Sequence, residues 1–201
     1  MTDLTRSYFE SAAPTWDARM PDHLTDVLRQ FTAHLRDNYA ADFANARALL
    51  EIGTGTGAFI PFLADLTPSA SRIHVDLAHA MLAQARVQTK SSPLIQADVH
   101  NLPFSNIFDT IICHNSFPHF ADQPRALREI ARVLQSGGSL FILHHLSRNR
   151  VNTIHSTIGG AVARHHVPSV DEMRHLLTDA GFTAVYIDDA PTHYIAHAKK
   201  P

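Results

Sequence analysis

The sequence predicts a three-layer α/β fold built on a seven-stranded, mostly parallel sheet that closes with a C-terminal antiparallel hairpin. Three observations predict it. Apolar strand-like runs alternate with helical patterns along most of the 201 residues, as parallel βαβ units require. A glycine turn, Gly53-Thr54-Gly55-Thr56-Gly57, follows the first strand directly. The last two strand-like runs, 183–187 and 194–198, are separated by only six residues and read as an antiparallel pair.

Each element has its own reason. Residues 1–46 are polar and aromatic with apolar residues at helical spacing, and are expected to form a helical arm or lid ahead of a core at 47–201, one domain overall. Within the arm, Leu24, Leu28, Phe31 and Leu35 recur on one helical face and read as core. A strand over 48–52 runs into the glycine turn, where a missing Cβ lets a ligand come close to the backbone, and a helix follows to about 65. The strand over 72–76 ends on Asp76, about twenty residues past the glycines, where nucleotide-binding α/β folds use a carboxylate to accept from ribose hydroxyls. A short strand over 93–97 delivers Asp98 into a loop. The strand over 108–114 leads into Asn115-Ser116-Phe117-Pro118-His119-Phe120, which should face a ligand, because open α/β sheets bind beyond the carboxyl ends of their strands. Helix 124–134 buries Leu127, Ile130, Ala131 and Leu134. Gln135-Ser136-Gly137-Gly138 then turns the chain into a strand over 139–144, and helix 170–180 precedes the hairpin.

Composition narrows the function classes. With 45% hydrophobic residues and a net charge of -2, the chain can bury a sizeable core and lacks the basic excess of a nucleic-acid binder. Cys113 is the single cysteine, so an internal disulfide is excluded. No N-terminal apolar run reads as a signal peptide or membrane span, and a cytoplasmic enzyme is expected, its oligomeric state left open. The unusual count is fifteen histidines against seventeen lysines and arginines.

Four stretches carry a family resemblance: Glu51-Ile52-Gly53-Thr54-Gly55-Thr56-Gly57; Val75-Asp76-Leu77-Ala78-His79-Ala80-Met81-Leu82; Glu129-Ile130-Ala131-Arg132-Val133-Leu134 before Gly137-Gly138; and Tyr8-Phe9 with Trp16-Asp17 in the arm. In these the chain resembles the class I S-adenosylmethionine-dependent methyltransferases, specifically the small-molecule enzymes of the ubiquinone/menaquinone-biosynthesis type, over roughly residues 8–199. Gln135-Ser136 departs from the family's Lys-Pro and alters only a turn. The resemblance implies a Rossmann-like fold, S-adenosyl-L-methionine as methyl donor and S-adenosyl-L-homocysteine as product. It implies cofactor contacts from Tyr8, Trp16, Glu51, Gly53, Thr54, Gly55, Gly57, Asp76, Leu77, Met81, Asp98, Val99 and Asn115, with Asp76 on the ribose, Met81 against adenine and Asp98 beside the adenine amino group.

The histidine-rich segment 144–167 is what the family pattern does not explain. His119 is the first candidate base, with His144 or His145 second, and His119, Arg148 and His155 are expected to line the acceptor pocket. A histidine base would give a rate rising with pH through an ionisation between about 5 and 8. A divalent metal held by these imidazoles is the competing reading, disfavoured because no pair sits at usual zinc spacing. Two other functions stay open: a non-catalytic or metal-linked binding protein on the same fold, and a nicotinamide-dependent oxidoreductase, which the glycine spacing and terminal hairpin oppose.

Overall fold

The computed structural model describes residues 2–89 and 91–201; Met1 of the arm lies outside them. Along the chain run α1 (Thr2–Ala12), α2 (Leu24–Asn45), β1 (Ala48–Ile52), α3 (Ile60–Leu66), β2 (Ser71–Asp76), α4 (His79–Ala85) and β3 (Leu94–Gln96). Then follow β4 (Phe108–His114), α5 (Gln123–Val133), β5 (Leu134–His144), α6 (Arg148–Ile158), α7 (Val170–Asp179), β6 (Thr183–Asp189) and β7 (Tyr194–Lys199). The strands form one seven-stranded sheet in the order β3-β2-β1-β4-β5-β7-β6. All pairings are parallel except those of β7, which opposes both β5 and β6.

Strand alternation sets the layers, since successive side chains point to opposite faces. Leu49, Ile112, Phe141, Leu143 and Ile195 face α2 and α3, packing with Leu28, Leu35, Phe43 and Leu63. Their neighbours Leu50, Ile111, Leu140, Ile142 and Ala196 face the other way, against Leu127 and Ile130 of α5 and Met173 and Leu177 of α7. The helix starts are chemically fixed. Asp122 accepts from Arg125 N at the head of α5 (2.9 Å), and Ser169 and Glu172 form a reciprocal capping box on α7.

One boundary departs from expectation. β5 begins at Leu134, which pairs with Phe108, and the register slips before Thr110 pairs with Ser139. The Gly137-Gly138 turn is therefore a bulge within the strand. The C-terminus satisfies it: Gly137 N donates to Lys200 O (2.8 Å) and Lys200 N donates to Gly138 O (3.0 Å).

The arm is tied to the sheet at two places that matter for the site. Glu10 of α1 accepts from His79 N and Ala80 N (2.8 Å each), capping α4 from outside. Asp17 accepts from Thr56 Oγ1 in the glycine turn (2.6 Å). Among the described residues no helix is long and apolar enough to cross a membrane.

Candidate active site

The chain winds outward from β1 to β2 and β3, then returns to β4 on the other side of β1. That reversal opens a crevice at the carboxyl ends of the strands, and a cavity of about 200 Å³ lies there.

The glycine turn forms one wall. Gly53 N and Thr54 N both donate to Val75 O (2.8 and 3.1 Å), which seats the turn on β2. A Cβ on Gly53 would stand 2.2 Å from Ser116 Cβ, so this glycine is required by the loop after β4. Gly55 differs. Its φ is +59°, and no atom lies within 4 Å of where its Cβ would be; the backbone there opens into the cavity and forms a cradle that a side chain would fill.

Asp76 faces the same space. Its two oxygens accept from Gly55 N (2.8 Å) and Ala78 N (2.9 Å), leaving further lone pairs for a ligand. Burial raises its pKa to about 6, against the pull of those two N–H groups, and the carboxylates of Glu51 and Glu10 push the same way. Leu77, Met81, Val99 and Asp98 continue the wall. One oxygen of Asp98 holds His100 through its backbone N (2.9 Å) and Nδ1 (2.6 Å).

The opposite wall carries Asn115, His119, Phe120, His145 and His114. The sequence places His114 beside the His119 loop without giving it a role; as the last residue of β4 it points into the crevice, stacked on Phe59 with ring centroids 4.1 Å apart. His114 Nε2 and Asn115 Nδ2 lie 3.1 and 3.0 Å from His145 Nδ1. An amide nitrogen can only donate, so His145 Nδ1 accepts, its proton sits on Nε2, and His114 keeps its lone pair on Nδ1. Burial lowers His145 to about 4. His114 and His119 are pushed well below the usual imidazole range, first by burial and then by neighbouring imidazoles. All three are neutral at pH 7. His119 Nδ1 meets His165 Nδ1 at 2.8 Å, and Phe9 packs edge-on against its ring at 5.0 Å.

The arm closes the cavity with Phe9, Trp16, Asp17, Met20, Leu24 and Leu28. Leu24 and Leu28, read as core from spacing, thus serve both core and cavity, because the first turns of a packed helical face overhang the sheet's end.

Six expected residues stand outside this wall. Tyr8 packs against Phe9 at 5.1 Å, and Phe9, one residue further round α1, takes the inward position. Glu51 lies beneath the turn at 2% exposure, its Oε2 engaged by His74 Nδ1 (2.7 Å) and Thr54 Oγ1 (2.9 Å). Gly57 faces α4, where a Cβ would come 3.0 Å from Ala85 Cβ; it serves helix packing. His144 shares the face of Ile142, so alternation turns it into the core against Tyr194. Neither of its ring nitrogens has a partner, and burial pushes it to about 3. Arg148 Nε donates to Asp189 (2.7 Å) on the hairpin. His155 Nδ1 donates to His165 O (2.8 Å) and its ring lies 4.8 Å from that of His119, behind it. Asn152 binds Val167 at both N and O. The α6 face expected to touch an acceptor instead pins the loop that buttresses His119.

Comparison with known proteins gives a consistent result. Residues 50–142 match a family model described as methyltransferase domain. The chain is 35% identical over 196 residues to malonyl-[acyl-carrier protein] O-methyltransferase of Geobacter sulfurreducens, covering 92% of this chain and 72% of that protein. It is 35% identical over 144 residues to demethylmenaquinone methyltransferase of Thermus thermophilus, covering 67% and 63%. Among solved structures, a Methanococcus maripaludis chain provisionally assigned as an S-adenosyl-L-methionine-dependent methyltransferase superposes with a TM-score of 0.75 at 20% identity, covering 95% of this chain and 93% of that one. At that identity the superposition speaks for the fold alone.

Proposed function

Because the chain belongs to the S-adenosylmethionine-dependent methyltransferases, we propose that its cavity serves methyl transfer to a small, flat, largely apolar acceptor. S-adenosyl-L-methionine supplies, when bound, a sulfonium methyl group that an aligned nucleophile takes by in-line displacement. Asp76 then accepts from the ribose hydroxyls, Gly55 lets the amino-acid part lie on the turn, Leu77 and Met81 enclose the adenine, and Asp98 with Val99 reads its edge. Trp16, Gly53, Thr54 and Asn115 complete the contact surface. The open space at Gly55, beside the half-buried Asp76 carboxylate, is the observation that carries this reading.

The acceptor side is apolar and aromatic, with Phe9, Met20, Leu24, Leu28, Phe59 and Phe120 around neutral imidazoles. Among the described residues no lysine or arginine lines the cavity, which favours a neutral or phenolic nucleophile over an acceptor presenting a free carboxylate. His114 Nδ1 and His119 are the groups able to take a proton from it, and His145 Nε2–H can orient it. Methyl transfer asks chiefly for alignment of the reactants about 3 Å apart, so an imidazole that is neutral at rest, takes the acceptor's proton as the methyl arrives and passes it on to solvent suffices. The setting is proposed to be cytoplasmic, in keeping with the free, buried Cys113.

Incubating the protein with methyl-labelled donor and three acceptor panels, simple phenols and hydroquinones, aryl amines, and aliphatic carboxylates, tests the assignment. Labelled ether products from the first panel are expected. Exclusive labelling of carboxylates would overturn the acceptor class while leaving the donor assignment intact.

A further inference from the structure

The histidines of the cavity are not the ones best arranged to hold a metal. Among the described residues, the one trio of histidine, cysteine, aspartate or glutamate whose ligand atoms all lie within 4.8 Å of one another is His34, Asp188 and His193. They come from two parts of the chain: His34 from α2, and Asp188 of β6 with His193, just before β7, from the terminal hairpin. None of them lines the cavity.

Three features of the trio suit an ion. His193 Nε2 lies 2.9 Å from Asp188 Oδ2, whereas His34 Nε2 lies 4.0 Å from that same oxygen. The second distance is too long for a hydrogen bond. It is close to the separation of about 3.4 Å between two ligands of one tetrahedral zinc with bonds near 2.1 Å, so a small turn of the His34 ring closes the gap. Next, the two imidazoles sit with centroids 4.4 Å apart and tilted by 42°, converging on the carboxylate rather than stacking flat. Finally, the outer nitrogen of His193 has a partner, as metal-bound histidines require. Without an ion His193 Nε2–H donates to Asp188 Oδ2 (2.9 Å); moving that proton to Nδ1, 3.1 Å from Thr192 Oγ1, frees the Nε2 lone pair for a metal. Asn38 Nδ2 donates to His34 O (2.8 Å), which fixes that amide on the α2 backbone 3.3 Å from His34 Nδ1.

We propose that His34, Asp188 and His193 form a site for a borderline divalent cation of the zinc, cobalt or nickel class, with its remaining position open to water. Two imidazoles and a carboxylate are the donor set such ions favour. Its consequence is mechanical. An ion here joins α2 to the terminal hairpin, and α2 is the helix whose first turns bring Leu24 and Leu28 to the cavity. Phe31 lies between the two regions, its ring 6.2 Å from His193 and 6.3 Å from His114. The ion thereby steadies the arm's seat on the sheet rather than taking part in methyl transfer.

The test uses tag-free full-length protein, treated with chelator and then titrated with cobalt(II), reading visible absorption for low-coordinate cobalt and the thermal midpoint. One equivalent bound with a rise in midpoint is expected. His34→Gln and Asp188→Asn should each weaken cobalt binding at least tenfold and abolish the midpoint rise, while His165→Gln, in the separate cluster beside His119, should bind as the wild type does. Circular dichroism of each variant before metal addition establishes that a loss of binding is not a loss of fold. Wild-type affinity in His34→Gln and Asp188→Asn, or loss of the bound equivalent in His165→Gln alone, would overturn the proposal, as would cobalt failing to bind the wild type.

Discussion

At the scale of single residues, two titrations separate this account from the expectations of spacing alone. Asp76 was legible in the sequence, because a carboxylate at the end of the second strand has a fixed place relative to the glycine turn. Its proton equilibrium was not, since that follows from burial. Its pKa is raised to about 6, above the ordinary value near 3.9, so the charged form is disfavoured in the free protein and the protonated form accumulates as pH falls through 6. Ribose hydroxyls donate to the ionised carboxylate. Affinity for S-adenosylhomocysteine should therefore be full at pH 7 and above, and fall towards tenfold per pH unit below about 6. Asp76→Asn should bind at least tenfold more weakly at pH 7 and lose that pH dependence; isothermal titration at four pH values reads both. The imidazoles move the other way. With His145 at about 4 and His114 and His119 also lowered by burial, the acid limb anticipated between 5 and 8 moves to lower pH. At saturating methyl donor, the methyl-transfer rate on an acceptor that does not itself ionise in this range should show no inflection at the ordinary imidazole value near 6.5, and an inflection there would assign the proton transfer to a solvent-exposed histidine instead.

At the scale of elements, strand bounds were the most readable feature. β1 and β4 span the expected residues, because each centres on a short apolar run, Leu49-Leu50 and Ile111-Ile112-Cys113, that the sheet buries on both faces. The start of β5 was not readable. Leu134 looks like the last residue of α5, and only pairing with Phe108 and the C-terminal residues makes it strand. The facing of side chains within an element was lost for the same kind of reason. Nothing in His144-His145 says which of the two alternation turns inward, and nothing in Arg148 announces Asp189 as its partner. Glu51 gives the sharpest test at this scale. The motif suggests a ligand contact, whereas in the fold the carboxylate bonds His74 and Thr54 beneath the turn. Glu51→Ala strands both partners in the core and should lower stability to urea by about 3 kcal/mol. Unchanged stability with lost S-adenosylhomocysteine binding would return Glu51 to the ligand.

At the scale of the whole molecule, the division into an arm at 1–46 and a core at 47–201 is less informative than the bonds that join them. Aromatic residues near the N-terminus hinted that the arm meets the site, but the identity of the inward residue, Phe9 rather than Tyr8, depends on how α1 docks. Two carboxylates do the docking, Glu10 on the head of α4 and Asp17 on Thr56. Glu10→Ala removes an external helix cap and should cost about 1 kcal/mol, with faster amide exchange in α1 and α4 and little change in β4 and β5; uniform exchange changes would mean that the arm is not a separable unit. The central claim is that the glycine turn and Asp76 form the donor's cradle. The most direct test is calorimetric titration of S-adenosylhomocysteine into wild type and Gly55→Asn, since asparagine tolerates the positive φ of that position while filling the open space beside it. The account predicts one equivalent bound by the wild type, and a folded variant whose affinity is at least tenfold weaker, about 1.4 kcal/mol. No binding to the wild type, or equal affinity in the variant, would contradict it.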